Sequence, residues 1–217
     1  MAFVFSALIF VLGVMIGNLL SKERVDYLKD VAYKQRLDYE SLDLQSLYIS
    51  TTNLRNESCS ALGKILEQSL KSVADAQSKV ELYIKQRNDP RYSDIKREYS
   101  TAQIRYWLLD KKIKDICKID SVSILYFYSD KECQDCGAQG TVLTYLKEKI
   151  GDRLLVFSLD SDFSQEPLIA LVAINHNIIE VPSLVLENKS YSGLFAKESL
   201  LKEICPLYEA KPGLCKV

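Results

Sequence analysis

The sequence predicts an α/β domain in the last part of the chain, preceded by a membrane-spanning helix and by a helical stalk and hairpin. Three observations indicate this fold class: residues 1–20 contain no charged side chain, residues 21–120 contain one glycine and one proline, and residues 121–217 alternate short apolar runs with turns. We therefore divide the chain into a transmembrane anchor (1–21), a helical stalk and antiparallel hairpin (22–120) and an α/β domain (121–217).

The composition excludes several classes of function. The chain has 28 basic and 29 acidic residues, which is too balanced for a dedicated nucleic-acid-binding protein. Its single histidine, His176, leaves no partner for a histidine-rich zinc site or a histidine dyad. Six cysteines make thiol chemistry the first functional hypothesis, and we expect neither a cofactor nor a metal.

The apolar start of the chain predicts a membrane anchor. Ala2–Leu20 has about the length of apolar helix needed to cross a hydrocarbon core of roughly 30 Å. Because this stretch lacks a clear basic leader and a small-residue cleavage site, we expect it to stay uncleaved. The protein is then a single-pass membrane protein.

Two apolar stripes in the middle of the chain predict a helical hairpin. One runs from Cys59 to Tyr83 and the other from Ile95 to Ile116, both with the alternating three- and four-residue spacing that is typical of coiled coils. The turn signal Asn88-Asp89-Pro90 lies between them, and a proline fits the first turn of the second helix. The two helices should therefore fold back on each other.

The fold-back predicts a structural disulfide between Cys59 and Cys117, because both lie about thirty residues from the turn. Two buried free thiols at the helix ends are the alternative. Near the C-terminus, Cys205 and Cys215 bracket a short loop with two prolines and a glycine. A second structural disulfide is expected there, with free thiols again as the alternative.

The last hundred residues follow the order strand, helix, strand, helix, strand, strand, helix, which is typical of an α/β arrangement. The predicted strands are Val122–Ser129, Leu154–Leu159, Pro182–Glu187 and Tyr191–Phe195, and the predicted helices are Cys133–Ile150, Gln165–Asn175 and Lys197–Cys205.

The motif Cys133-Gln-Asp-Cys136 falls directly after the first predicted strand, at the start of a helix. The free amide groups at a helix N-terminus favour negative charge, so a thiolate at Cys133 is stabilised there. Cys136 lies one turn further on and can resolve a mixed disulfide formed by Cys133. The same motif is also half of a zinc site, which Cys205 and Cys215 would complete.

These residues, together with Val181-Pro182 about forty-five residues later at the head of a strand, resemble the thioredoxin superfamily. The resemblance covers residues 121–208 and implies a thioredoxin-like domain. It also implies that Pro182 is a cis-proline beside the reactive disulfide and that Val181 contacts the substrate.

Three departures from that family leave the direction of electron flow open. Glu132 stands where thioredoxins have tryptophan, and Phe127 stands where many members have a buried acid. The acidic residues Asp130, Glu132 and Asp135 surround the nucleophile and oppose formation of its thiolate.

The signals for membrane orientation conflict. An even cysteine count with two structural pairs indicates an oxidising compartment. Against this, the anchor is followed by basic residues, which favour the cytoplasmic side: Lys22, Arg24, Lys29, Lys34 and Arg36. We expect the C-terminal domain to be extracytoplasmic.

The leading hypothesis is a membrane-anchored thiol–disulfide oxidoreductase that oxidises, isomerises or reduces cysteines of exported proteins, with Cys133 as nucleophile and Cys136 as resolving cysteine. Its partners would be cysteine-containing proteins, the membrane and a redox partner protein, with a homodimer as an open possibility. One alternative is a redox-inactive interaction protein that works through its hairpin. Another is a cytoplasm-facing disulfide reductase.

Overall fold

The computed structural model describes residues 2–52, 58–85, 87 and 89–216 of the chain. The chain separates into two compact units, Met1–Thr52 and Asn53–Val217. The first unit contains helix α1 (Ala2–Thr51), which joins the apolar start to the charged stretch that follows it.

The prediction of a membrane anchor is wrong. Among the described residues, no helix combines the length and the apolar character needed to cross a bilayer. Helix α1 does not stop at residue 21 but continues to Thr51 through a stretch rich in charged residues. The prediction of a single-pass membrane protein is overturned with it, and the predicted extracytoplasmic side loses its basis.

The second unit begins with a helical hairpin of α2 (Cys59–Tyr83) and α3 (Pro90–Cys117). Asp89 caps α3, since its carboxylate accepts the N–H of Arg91 at 2.9 Å, and Pro90 is the first helical residue. The helix ends where Lys118 adopts a left-handed conformation, with φ of 53°, and donates its N–H to the Lys114 carbonyl.

A four-stranded mixed sheet follows the hairpin, with strand order β2-β1-β3-β4. Strands β1 and β2 are parallel, while β3 is antiparallel to both β1 and β4. The elements in chain order are β1 (Val122–Tyr128), α4 (Cys136–Ile150), β2 (Leu154–Asp160), α5 (Pro167–Asn175), β3 (Ser183–Leu186), β4 (Lys189–Ser192) and α6 (Lys197–Ile204).

Helices cover both faces of this sheet. The side chains of β1 alternate between the faces, so Tyr126 packs with residues of α4 and α6, whereas Phe127 packs with residues of α3 and α5. On the second face, Ile104 and Trp107 of α3 lie in one buried cluster with Phe127 and Leu159. The sheet is therefore enclosed between two apolar layers.

Helix α3 also protects the edge strand β2. The Gln103 side chain donates to the Ser158 carbonyl at 3.0 Å and accepts the Ser158 N–H at 2.8 Å. A side-chain amide thus takes the hydrogen bonds that a further strand would make at this edge. The hairpin is an integral part of the core rather than a stalk.

The predicted fold class, a thioredoxin-like α/β domain preceded by a transmembrane helix and a helical stalk and hairpin, is therefore wrong. Most of the described chain is helical, its sheet is small and mixed, and its described residues offer no helix suited to a membrane. The predicted coiled coil is not supported either. Ile104 and Trp107 show the reason, because this side of α3 packs on the sheet.

Candidate functional site

Cys133 and Cys136 form a disulfide at the edge of the sheet where the parallel strands β1 and β2 end, with 5.5 Å between their Cα atoms. The predicted helix Cys133–Ile150 starts too early. Helix α4 begins at Cys136 rather than Cys133, and Asp135 at its N-cap position makes no side-chain capping hydrogen bond. Cys133 therefore lies in the loop before the helix, and Cys136 is the first helical residue.

The two cysteines differ in their access to solvent. Cys133 is half-buried, whereas Cys136 is 7% exposed and belongs to the apolar cluster on the α4 side of the sheet. The Tyr126 hydroxyl donates a hydrogen bond of 2.5 Å to the Cys136 carbonyl. Burial raises the pKa of Tyr126 to about 12, so this donor keeps its proton at neutral pH.

The Val181–Pro182 segment precedes β3, and its peptide bond is cis. Pro182 is buried, and its carbonyl accepts the N–H of Gly193 at 2.8 Å. Val181 is half-buried and packs against the same apolar cluster as Cys133. Of the two predicted substrate-contacting residues, Val181 thus shares an apolar cluster with Cys133 and Cys136, and Pro182 follows it at the head of β3.

The loop between β1 and Cys133 is fastened by Ser129. Its hydroxyl oxygen accepts the N–H groups of Lys131 at 3.0 Å and Glu132 at 3.1 Å. The same hydroxyl donates a hydrogen bond to the Asp162 carboxylate. Asp162 belongs to the segment that follows β2. The loop that carries Cys133 is therefore tied to the neighbouring strand end.

The three acidic residues around Cys133 do not act alike. Glu132 and Asp135 are exposed. Asp130 instead lies 2.6 Å from the Lys96 Nζ atom of helix α3 and 3.7 Å from Arg87. Its negative charge is compensated by the hairpin, a long-range contact that the sequence did not indicate.

Phe127 is fully buried in the cluster on the α3 side of the sheet. Its hydrocarbon side chain has no proton to exchange, unlike the buried acid that many members of the thioredoxin superfamily have at this place. Proton transfer at Cys136 therefore needs a group other than this residue.

Two further disulfides lie away from this edge. Cys59, the first residue of α2, is joined to Cys117, the last residue of α3, with 5.6 Å between their Cα atoms. Cys205 is joined to Cys215, with 5.4 Å between their Cα atoms. The zinc alternative needed Cys205 and Cys215 as ligands beside the Cys-x-x-Cys motif, but the structure bonds these two to each other.

His176 follows the last residue of α5 and lies apart from the disulfide edge. Its N–H donates to the Val172 carbonyl at 3.1 Å, and its ring meets the Trp107 ring edge-on, with 6.1 Å between centroids. Burial, followed by the positive charge of Lys111, lowers the pKa of His176. These contacts indicate a structural role.

A groove open to solvent starts next to Cys136 and follows the outer face of α4. It has a volume of about 500 Å³. The residues that line it are Gly137, Gly140, Thr141, Thr144, Tyr145 and Glu148.

Sequence reasoning missed Lys96 and Tyr126 as parts of this site. A signal for Lys96 was present, because polar residues recur along α3 beside the apolar stripe at spacings of three, four or seven residues, which keep them on one side of a helix: Lys96, Ser100, Gln103, Asp110 and Lys114. The first four of these are buried. A polar stripe next to an apolar one indicates a helix that contacts both a core and the polar edge of a sheet.

No family model matches the sequence, and no curated protein matches it. Among solved structures, the chain is similar to one described as "Structure of a malarial protein", with 20% sequence identity and a TM-score of 0.34, over 42% of this chain and 99% of that chain. A likeness this weak carries no argument. The comparisons leave the motif resemblance to the thioredoxin superfamily untested and support no oxidoreductase activity, so both stay predictions.

Proposed function

We propose that the protein carries out thiol–disulfide exchange with cysteines of other proteins through Cys133 and Cys136. The observation that carries the proposal is the asymmetry of this disulfide: a half-buried cysteine in a loop is bonded to a buried cysteine at a helix start. Attack from outside then reaches Cys133, and Cys136 is left as the protected leaving group.

The size of the closed loop supports an active role for this disulfide. Its cysteines are 3 residues apart, compared with 58 for Cys59–Cys117 and 10 for Cys205–Cys215. In the chain-entropy account, a disulfide stabilises more when it closes a longer loop. The Cys133–Cys136 bond therefore contributes least to stability of the three.

The exchange proceeds in two balanced steps. A thiolate of the partner protein attacks Cys133 Sγ, the Cys133–Cys136 bond breaks, and Cys136 leaves as a thiolate at the first residue of α4, where the helix N-terminus stabilises negative charge. A second thiolate of the partner then attacks the mixed disulfide and releases Cys133. The partner is oxidised by two electrons and this protein is reduced by two; the same steps in reverse reduce a partner disulfide.

Val181 and Pro182 have a positioning role in this proposal. Val181 packs against the same apolar cluster as Cys133, and the resemblance assigns Val181 and Pro182 contact with the segment of the partner that enters the site. A redox partner protein with its own dithiol or disulfide completes the cycle.

The test compares single cysteine variants, with Cys133 and Cys136 first reduced, in exchange with a peptide that carries a disulfide. We expect Cys133→Ser to abolish exchange and Cys136→Ser to accumulate a mixed disulfide with the peptide, detected by mass spectrometry. A double Cys205→Ser/Cys215→Ser variant serves as the matched control and should retain exchange. Exchange that survives in Cys133→Ser would defeat the proposal.

The alternative of an interaction protein working through the hairpin loses support. Its working surface was the apolar stripe of α3 from Ile95 to Ile116, and the central members of this stripe, Tyr106, Leu109 and Ile113, are buried within the fold. They are not available to a partner.

A further inference from the structure

Lys96 lies at the centre of a buried charge cluster at the edge of the sheet that carries Cys133. Its ammonium group donates to Asp130 at 2.6 Å and to Asp160, the last residue of β2. Lys96 is 8% exposed and Asp160 is 4% exposed. Charges this deeply buried are retained in proteins when they are paired, as they are here.

The groups that surround this cluster come from four parts of the fold. Arg87 approaches Asp130 at 3.7 Å, and the Phe163 ring centroid lies 5.3 Å from the Lys96 ammonium. Tyr128 of β1 interacts electrostatically with both carboxylates and with Tyr92 and Tyr99 of α3. Burial, followed by the negative charges of Asp130 and Asp160, raises the pKa of Tyr128. Lys96 and Arg87 are thus the basic groups facing two carboxylates.

The cluster is close enough to Cys133 for its charge to matter. Three residues separate Asp130 from Cys133, so their Cα atoms are at most about 11 Å apart even in a fully extended chain. That limit is comparable to the distance over which salt screens exposed charges, and partly buried charges are screened less. We therefore expect a change in the net charge of the cluster to act on a thiolate at Cys133.

We propose that Lys96 is a positioning residue through which the helical hairpin sets the redox equilibrium of the Cys133–Cys136 disulfide. It does so by holding and neutralising Asp130 at the base of the loop that carries Cys133. The inference rests on the exchange function proposed above and assigns part of its control to a helix outside the α/β part of the chain. Lys96 does not touch the reacting sulfur atoms.

The sign of the effect follows from charge. With Lys96 in place, Asp130 opposes a Cys133 thiolate only weakly. Without the ammonium group, the uncompensated carboxylates disfavour that thiolate, so the reduced state becomes less stable relative to the disulfide. The pKa of the Cys133 thiol rises at the same time.

The experiment equilibrates the full chain with mixtures of reduced and oxidised glutathione and measures the fraction of Cys133–Cys136 disulfide. We expect Lys96→Met to shift the equilibrium constant about fivefold towards the disulfide, the size of one unit charge acting at this distance in a polar protein environment. Lys96→Arg keeps the charge and should stay within twofold of the unmodified protein.

Lys114→Met is the matched control. Lys114 is also a lysine of α3 that bonds to the sheet region, at 2.8 Å from Glu187, but it lies eighteen residues further along the helix, about 27 Å by the helical rise. It should leave the glutathione equilibrium unchanged. An equal shift in Lys96→Met and Lys114→Met would overturn the inference, since it would report a general loss of stability.

Asp130→Asn gives a second measurement that does not depend on the folding of the Lys96 variants, because this carboxylate is partly exposed. It should shift the equilibrium in the opposite direction, towards the dithiol. An equilibrium unchanged by Asp130→Asn contradicts the inference while leaving the exchange function intact. If Cys133–Cys136 of the unmodified protein fails to equilibrate with glutathione, the proposed function fails and the inference falls with it.

Discussion

Helix α3 holds a lysine between two carboxylates near each of its ends, and the two ends are built differently. Near the N-terminal end, Lys96 bonds to both Asp130 and Asp160. Near the C-terminal end, Lys114 bonds to Glu187, while the buried Asp110 keeps one carboxylate oxygen without a hydrogen-bond partner among the described residues. Only the end beside the Cys133–Cys136 disulfide has its buried charges fully paired.

The difference shows what holds each end in place. Burial raises the pKa of Asp110 to about 6, and Glu187 adds to this rise while Lys114 opposes it. At this same end, the Cys59–Cys117 disulfide ties the last residue of α3 to the start of α2. We infer that this covalent bond holds the helix end in place despite the buried carboxylate. The N-terminal end is anchored by ion pairs, so its geometry depends on charge.

The largest effect should come from removing the covalent bond. The double variant Cys59→Ala/Cys117→Ala opens a long loop, and we expect the free energy of unfolding to fall by about 4 kcal/mol in urea titrations. The glutathione equilibrium of Cys133–Cys136 should not move. A loss below about 1 kcal/mol would show that the C-terminal end does not depend on its disulfide.

Removing the ammonium group at the other end should cost somewhat less. Lys96→Met leaves Asp160 buried without its partner, so the free energy of unfolding should fall by about 3 kcal/mol. Urea titrations of Lys96→Met and Lys96→Arg measure this, and we expect Lys96→Arg to lose less free energy of unfolding than Lys96→Met. If Lys96→Met and the unmodified protein unfold at the same urea concentration, the ion pairs do not anchor this end.

Neutralising Asp110 should stabilise the protein. Its pKa is about 6 in the folded chain and 3.8 when unfolded, so the folded state binds more protons between these values and loses stability as the pH rises through them. The Asp110→Asn variant does not have this loss. Its free energy of unfolding should exceed that of the unmodified protein by about 2 kcal/mol at pH 7 and should equal it near pH 3. Thermal unfolding of both proteins across this pH range measures the difference. A variant less stable than the unmodified protein at pH 7 would contradict the prediction.

The smallest effect is expected from Lys114→Met. Its ion pair with Glu187 is partly exposed, so the free energy of unfolding should fall by less than about 1 kcal/mol. The pKa of Asp110 should rise further, because Lys114 is the group that lowers it. The pH range over which stability falls then extends further upward, while its lower end stays at the unfolded pKa of 3.8. A stability loss equal to that of Lys96→Met would remove the contrast between the two ends.

Local patterns in the sequence were sufficient for part of the fold. The apolar runs at Val122–Tyr128 and Leu154–Asp160 are strands, and the turn signal before Pro90 separates two long helices. Counting residues from that turn led to the pairing of Cys59 with Cys117, which the structure joins. These inferences needed only spacing along the chain.

Other features depend on contacts or competing local preferences. The charged residues after the apolar start do not interrupt α1, which continues to Thr51 because lysine, arginine and glutamate are good helix formers. The start of α4 was set too early: the helix begins at Cys136, and Asp135 before it makes no side-chain capping hydrogen bond that the sequence could have been read for. The two-residue turn at 187–188 places β4 at Lys189–Ser192, earlier in the chain than the predicted Tyr191–Phe195.

The residues of the candidate site also divide into those that local motifs predict and those that depend on long-range contacts. Cys133, Cys136, Val181 and Pro182 were found from motifs because their spacing is local or typical of a family. Lys96 was not, because its partners Asp130 and Asp160 lie 34 and 64 residues away in the chain. Only the packing of α3 on the sheet brings these three side chains together.

The Cys59–Cys117 bond also makes the hairpin a closed covalent ring. A protease that cuts the chain after Lys85, between α2 and α3, would not separate the two pieces, because the disulfide still joins their far ends. Such a nicked molecule would migrate as a single species on a gel without reductant and as two fragments with it. The chain can thus be severed at the tip of its hairpin and still remain one molecule.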